Sequence, residues 1–180
     1  MGRIVVTEYV TLDGYMDEPG KWSFPFWNEE TAQFKFDELS ASDAQLLGRV
    51  TYQGFAAAWP TMTDTGEFGE RMNGMPKYVV STTLDKAEWN NTAIIRDDVP
   101  TAVSRLKEQY DRDILVAGSG VLLETLRQHG LVDEYRFMIH PIILGHGEKP
   151  LFRQGDEATL QLVDSKTTGK GVVILTYRPA

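Results

Sequence analysis

Apolar runs of strand length alternate with helical stretches through the first three quarters of the chain, and this alternation limits the fold more than any other feature. Arg3 to Val10 alternates β-branched and polar residues before an Asp13-Gly14 turn. Ala44 to Leu47, Lys77 to Ser81, Thr92 to Ile95 and Ile114 to Ala117 read as further strands. Helical stretches separate them. One starts at Glu29 with acids in its first turn, which suits the positive end of a helix dipole. A second spans Val50 to Ala58 and stops before Pro60, and a third runs from Pro100 to about Tyr110, since proline is tolerated in a first turn. A fourth, VLLETLRQHG, ends at Gly130. Strands joined by crossover helices pair in parallel and need cover on both faces. The chain closes differently, with strands at Glu134 to His140, about Leu160 to Ser165 and Val172 to Tyr177. TTGKG joins the last two as a hairpin turn, which adds antiparallel edge strands. Residues 14–28, GYMDEPGKWSFPFWN, read as a loop that covers a ligand. Thr61 to Asn73 reads as an irregular loop with at most a short helix.

A chain of 180 residues with 42% hydrophobic content closes one core, so a single domain over residues 1–180 is expected. Cysteine is absent, which excludes disulfides, thiolate metal sites and cysteine nucleophiles. His129, His140 and His146 fall in no metal-ligand spacing, so no metal is expected. A net charge of −8 without a basic cluster argues against nucleic acid. It still allows an anionic cofactor held by backbone N–H groups and a few local arginines. No apolar run approaches the roughly 20 residues that span a bilayer, and MGRIVVTEYV lacks the pattern of a signal peptide. A cytoplasmic protein without membrane contact is the expectation.

Ligands of open α/β sheets bind beyond the carboxyl ends of the strands, where helix N-termini present unpaired N–H groups to an anion. Two places qualify: Gly48-Arg49-Val50-Thr51 in LLGRVTYQGF, and Gly118-Ser119-Gly120 in ILVAGSGVLLETL. Glycine there lets the backbone approach a phosphate and adopt positive φ, although tight turns alone need the same residue. The short G-x-G lacks the third glycine of the dinucleotide fingerprint, and no acid follows to hold a ribose diol, so the usual NAD-type reading fails. Two carboxylates stand out by position, Asp13 at the turn after the first strand and Glu30 at the start of the first helix. Each has a structural alternative, the first in a turn and the second as a helix-dipole acid. Tyr15, Trp22, Phe24, Phe26 and Trp27 are available to stack on a planar ligand, with core packing expected for most of them.

In this order, LLGRVTY, KYVVSTTL, ILVAGSGVLLETL and LVDEYRFMIHPIILGHGEKPLF resemble the dihydrofolate reductase superfamily. VTLDGYMDEPGKW is similar to the "SLDG" opening of one branch, the reductase domain of the bifunctional riboflavin-biosynthesis deaminase-reductase. The resemblance covers nearly the whole chain. It implies a dihydrofolate reductase-like three-layer α/β/α fold, with a mostly parallel central sheet and an antiparallel C-terminal hairpin. It also implies NADPH across the sheet edge, with Gly48, Arg49 and Thr51 at its phosphates and Gly118, Ser119, Gly120, Val121 and Leu122 at the second glycine turn. Ser81, Thr82 and Thr83, joined by Arg96, fall on the adenosine side, where hydroxyls beside an arginine suit a 2′-phosphate. Asp13 and Glu30 become the implied catalytic acids, acting on a small pterin-, pyrimidine- or folate-like heterocycle. Ala117 stands where riboflavin-type reductases often carry glutamate, and FPFWNEE matches the folate-reductase loop loosely, so neither of those two substrates is assigned. A catalytically idle NADP(H)-binding module used for sensing or assembly, and a flavin-using reductase, stay open. MIHPIIL is a candidate homodimer interface, although a buried strand needs the same residues.

Overall fold

The computed structural model describes residues 1–118 and 120–180. Its centre is β1 (Arg3–Thr11), where Ile4, Val5, Val6 and Val10 are fully enclosed and leave no face for water. A strand buried on both sides takes parallel neighbours fed by crossover helices. Here these are β5 (Asp113–Ala117) and β6 (Glu134–His140). Beyond β5 lie β2 (Ser42–Gly48), β3 (Lys77–Val80) and β4 (Thr92–Ile95), all parallel. Beyond β6 the sheet ends in β8 (Val173–Pro179) and β7 (Leu160–Thr167), both antiparallel. The strand order is β4-β3-β2-β5-β1-β6-β8-β7.

Among the described residues six helices cover this sheet: α1 (Pro19–Trp22), α2 (Glu29–Ser40), α3 (Arg49–Ala58), α4 (Gly66–Gly74), α5 (Val99–Gln109) and α6 (Gly120–Gln128). Side-chain alternation splits the core in two. Ile4, Val6, Ile114 and Val116 pack with Val103 and Leu106 of α5 and Leu122, Leu123 and Leu126 of α6. Val5, Leu47, Val79 and Leu115 pack with Leu39 of α2, Tyr52 of α3 and Met72 of α4. The three-layer arrangement with its antiparallel end is the fold that the resemblance implied.

Three expectations need adjustment. Thr61 to Asn73 is largely the nine-residue α4, whose glycines at 66, 69 and 74 hide its periodicity. A Cβ at Gly69 would lie 1.8 Å from Thr65 Oγ1, so close packing excludes a better helix former there. The β2 strand begins earlier than Ala44, because Ser42 is buried with its hydroxyl donating to the Glu38 carbonyl at 2.7 Å. The covering segment is also not a plain loop: it holds α1 and a 3-10 turn at Phe24–Phe26. The start of α2 follows its sequence closely. Asn28 Oδ1 accepts from the Thr31 amide at 3.0 Å, and Thr31 Oγ1 accepts from the Asn28 amide at 2.9 Å, a capping box.

Lys77 on β3 is 1% exposed, an unusual place for an ammonium group. Its Nζ donates to the carbonyls of Asn73, Met75 and Asn90, each at 2.9 Å, and stands 4.3 Å from the Trp89 ring centroid. All three donors are thus satisfied, and β3 is tied to the end of α4. Lys77→Met keeps the volume but leaves buried acceptors without donors. A loss on the order of 3 kcal/mol in urea unfolding is expected, and a change below about 1 kcal/mol would show that the carbonyls find other partners.

Candidate active site

β2 and β5 are neighbours in register, Leu47 opposite Ala117, and each strand runs into a glycine. Gly48 precedes α3 without a side-chain cap, which leaves the N–H groups of that first turn open. Gly118 has φ +69°, and a Cβ there would lie 2.1 Å from Thr51 Oγ1. The two turns therefore touch, and a side chain at Gly118 would fill the space between them. They border one cleft of about 580 Å³ with Gly48, Arg49 and Thr51 on one wall. Gly120, Val121 and Leu122 of α6 form another wall. Ser119 lies outside the described residues.

Ser81, Thr82 and Thr83 line the same cleft at the end of β3. Ser81 Oγ is occupied in accepting from the amides of Thr83 and Leu84, at 3.2 and 3.0 Å, whereas Thr82 and Thr83 are exposed. Arg49 is exposed and donates to Gln53 Oε1 at 3.0 Å. Arg96 is not brought in: it reaches back to the Asp85 carbonyl at 3.1 Å and lies outside the cleft lining. Lys149 and Arg153 do line the cleft, and sequence reasoning passed over both. They sit in an irregular segment whose position depends on distant residues. Asp17 accepts from the amides of Glu148 and Lys149 at 2.8 and 2.9 Å, and Met16 N donates to the Lys149 carbonyl at 2.8 Å.

The two expected acids have other duties in the structure. Asp13 is exposed and accepts from Thr11 Oγ1 at 2.7 Å and from the amides of Leu144 and Gly145 at 3.2 and 2.8 Å. The Thr11 bond, with those amides, lowers its pKa. Glu30 is exposed and accepts from the Gly169 amide at 2.8 Å. Neither lines the cleft or the cavity beside it. In the MIHPIIL run, Met138 and His140 are buried and Ile143 is 69% exposed. His140 packs against Tyr9, Trp22 and Phe26. Trp22 is thus core, but Tyr15 and Phe26 are half-buried and Phe24 and Trp27 exposed, so core packing, expected for most of the covering aromatics, holds for Trp22 alone among the five.

A second cavity of about 350 Å³ adjoins the cleft, sharing Thr51, Gly120 and Lys149 with it. Glu8 stands in its wall. The last β1–β5 pair is Thr7 with Ala117, so Glu8 lies one residue past the end of β5, facing the Gly118 turn instead of a strand. It is 6% exposed, and its Oε1 has no hydrogen-bond partner among the described residues. Burial pushes its carboxyl up to about 8, against the opposing pull of Lys35 and a hydrogen bond from the Gly118 backbone. Glu8 therefore carries a proton at neutral pH. The available sequence signal was its parity with Ile4, Val6 and Val10, an acid on the buried side of the first strand.

Lys35 and Glu38 of α2 complete the polar wall. Lys35 Nζ donates to Glu38 Oε1 and, at 3.2 Å, to Thr7 Oγ1, which in turn donates to Glu38 Oε1 at 3.0 Å. Arg136 Nη1 lies 3.7 Å from Glu38 Oε2. Burial, the largest single influence, would lower the Lys35 pKa, but Glu38, Tyr9 and Glu8 together outweigh it and hold the ammonium above its ordinary value. The wall thus presents a charged pair beside a neutral acid. Among the described residues no group of three histidine, aspartate or glutamate side chains is arranged to hold a metal ion. No described helix is long and apolar enough to cross a membrane.

Comparison with known proteins fits this geometry. The profile of the RibD C-terminal domain family matches residues 3–174. The uncharacterized protein YyaP of Bacillus subtilis is 33% identical over 180 residues, covering 97% of this chain and 94% of its own. Among solved structures, a Thermotoga maritima diaminohydroxyphosphoribosylaminopyrimidine deaminase/5-amino-6-(5-phosphoribosylamino)uracil reductase superposes with a TM-score of 0.71 at 15% identity. The match covers 99% of this chain and 57% of that one. Dihydrofolate reductase from Enterococcus faecalis, complexed with NADP(H), gives 0.67 at 14% identity, over 99% and 96% of the two chains. At such identities the structural matches speak for the fold.

Glu8 makes a testable mark on stability. Between an ordinary value near 4.5 and about 8, the unfolded chain has released this proton and the folded chain keeps it, so stability falls as pH rises across that window. Glu8→Gln removes that slope. Thermal unfolding from pH 5 to pH 9 should find the variant gaining on the parent up to about pH 8 and level beyond it, by on the order of 4 to 5 kcal/mol in all. Parallel curves would mean that Glu8 ionises freely.

Proposed function

The chain belongs to the RibD C-terminal domain family, and from that premise we propose that it is an NADPH-dependent reductase of a small pyrimidine-, pterin- or folate-like heterocycle. The observation that carries the reading is a buried, proton-bearing carboxyl set where two glycine turns meet, at the junction of an anion-suited cleft and a smaller polar cavity. The cleft suits a dinucleotide. Gly48, Arg49 and Thr51 offer an open helix start to one phosphate. Gly120, Val121 and Leu122, which follow the Gly118 turn, offer backbone to the next. Thr82 and Thr83, with the cations of Lys149 and Arg153, supply hydroxyls and charge for a 2′-phosphate, while Ser81 holds the turn that presents them.

Bound NADPH supplies the hydride. Glu8 holds the proton that the ring nitrogen must gain as the C=N bond becomes C–N, and its carboxylate is then reprotonated from water. The Lys35–Glu38 pair fixes the ring's polar edge, and Tyr9 and Phe55 bound the cavity with apolar surface that limits water. In this reading Asp13 and Glu30 serve the loops, and Arg96 braces the segment after β3. An idle binding module is the second reading. What favours it is that both motif acids are bound to loop amides, outside the cavities.

Calorimetry of the purified protein should show NADPH binding, with NADH weaker by about tenfold or more for want of the charge-assisted contacts. No NADPH heat would overturn the cofactor assignment. A panel of dihydropterins, folates and pyrimidinones followed by NADPH oxidation separates the readings. Turnover should fall above about pH 8 as Glu8 ionises, and Glu8→Gln should lower kcat about 100-fold or more with NADPH affinity unchanged. Tight NADPH binding with silence across the panel would decide for the idle module.

A further inference from the structure

The cavity holding Glu8 does not end at the sheet. It continues outward into an open apolar cleft of about 1000 Å³, the two sharing Tyr9, Pro19, Lys35, Phe55, Trp59 and Phe68. Large side chains line this outer part without being covered: Phe24 is 74% exposed, Met62 48% and Trp27 42%. Three large apolar groups left in water around one opening mark a binding surface, since isolated exposed residues would not converge on a cavity mouth. Continuity with the polar cavity identifies the occupant as part of the same small molecule.

Charge decides what that part is. The described lining of the two spaces contains four carboxylates, from Glu18, Glu29, Glu38 and Asp64, beside the neutral Glu8, against the two lysines Lys35 and Lys149. Lys35 is engaged by Glu38 and Thr7, and Lys149 stands at the border with the cofactor cleft. No arginine lines either space among the described residues. A phosphate or carboxylate tail would lie among like charges without a bidentate partner. We infer that the ring reduced here carries an uncharged aromatic or aliphatic substituent, seated against Phe24, Trp27, Trp59, Met62 and Phe68, and no anionic tail. This deepens the reductase reading and rests on it. It separates this site from the phosphoribosyl substrate named for the Thermotoga maritima relative.

Two uracils that share one ring test it: 5-amino-6-(benzylamino)uracil and 5-amino-6-(5-phosphoribosylamino)uracil. Each is titrated into the full chain with saturating NADP⁺, read by calorimetry and by quenching of tryptophan emission, with a separate NADPH titration alongside. The benzyl compound should bind at least about 30-fold more tightly and quench. Trp27→Ala, an exposed position, should weaken it by about fivefold and leave 5,6-diaminouracil unaffected. Equal or tighter binding of the phosphoribosyl compound overturns the inference. So does silence from both uracils while NADPH binds. NADPH that fails to bind removes the reductase reading instead, so the two failures are distinguishable.

Discussion

β5 stops while β1 continues. Its last partner on β1 is Thr7, whereas β6 accompanies β1 to Thr11. Everything in the candidate site depends on that shortfall, because a strand that outlasts its neighbour exposes one flank to the residues beyond the shorter strand's end. Here the first of those residues is a left-handed glycine, Gly118, which turns the chain away and leaves room for a side chain of β1 to face a cavity. Had β5 run one residue further, Glu8 would sit beside a strand with no space to meet a ligand. Because β2 ends at the same level, a second glycine turn arrives beside the first, and two unrelated crossovers become two walls of one cleft.

A row of charged side chains, partly buried, leads up to the acid, whose proton is held by burial. Under α2, Arg3 bridges Asp113 and Glu134, and Arg136 contacts Glu134, Asp113 and Glu38. Arg178 also reaches Glu134. The row ends at Lys35, whose charge is answered by Glu38. Lys35 attracts the Glu8 carboxylate, yet too weakly to overcome desolvation. Removing Glu38 would alter Glu8 without touching it, since the nearest ammonium would then lack its partner. Buried ion pairs are weak sources of net stability. Here Glu38, near the end of the row, helps to hold the Lys35 ammonium above its ordinary value.

Local patterns carried most of the architecture. The strands at Thr92–Ile95 and Glu134–His140 are bounded as their sequences suggest, and α2 starts where its acids and capping residues place it. The exception, α4, has packing that demands glycine, so propensity is a poor guide to it. The two glycine turns were legible because backbone geometry selects their residue type. Glu8 was not, because its neighbours Lys35 and Gly118 are far away in sequence and become adjacent through sheet order. Asp13 and Glu30 attracted notice through local motif, and both are bonded to amides more than a hundred residues away, which no short window reports.

The opening segment and residues 144–151 are joined at several points. Asp13 and Asp17 grip four amides, Leu151 N donates to the Gly14 carbonyl, and Tyr15 pairs with Pro150. Met16 and Pro19 of this unit line the polar cavity, while Lys149 and Pro150 edge the larger cleft. The unit therefore borders both chambers as one riveted plate. Lifting it over either chamber would unseat it over the other, and if occupancy on one side did so, thermodynamic reciprocity would require the influence to run equally in both directions.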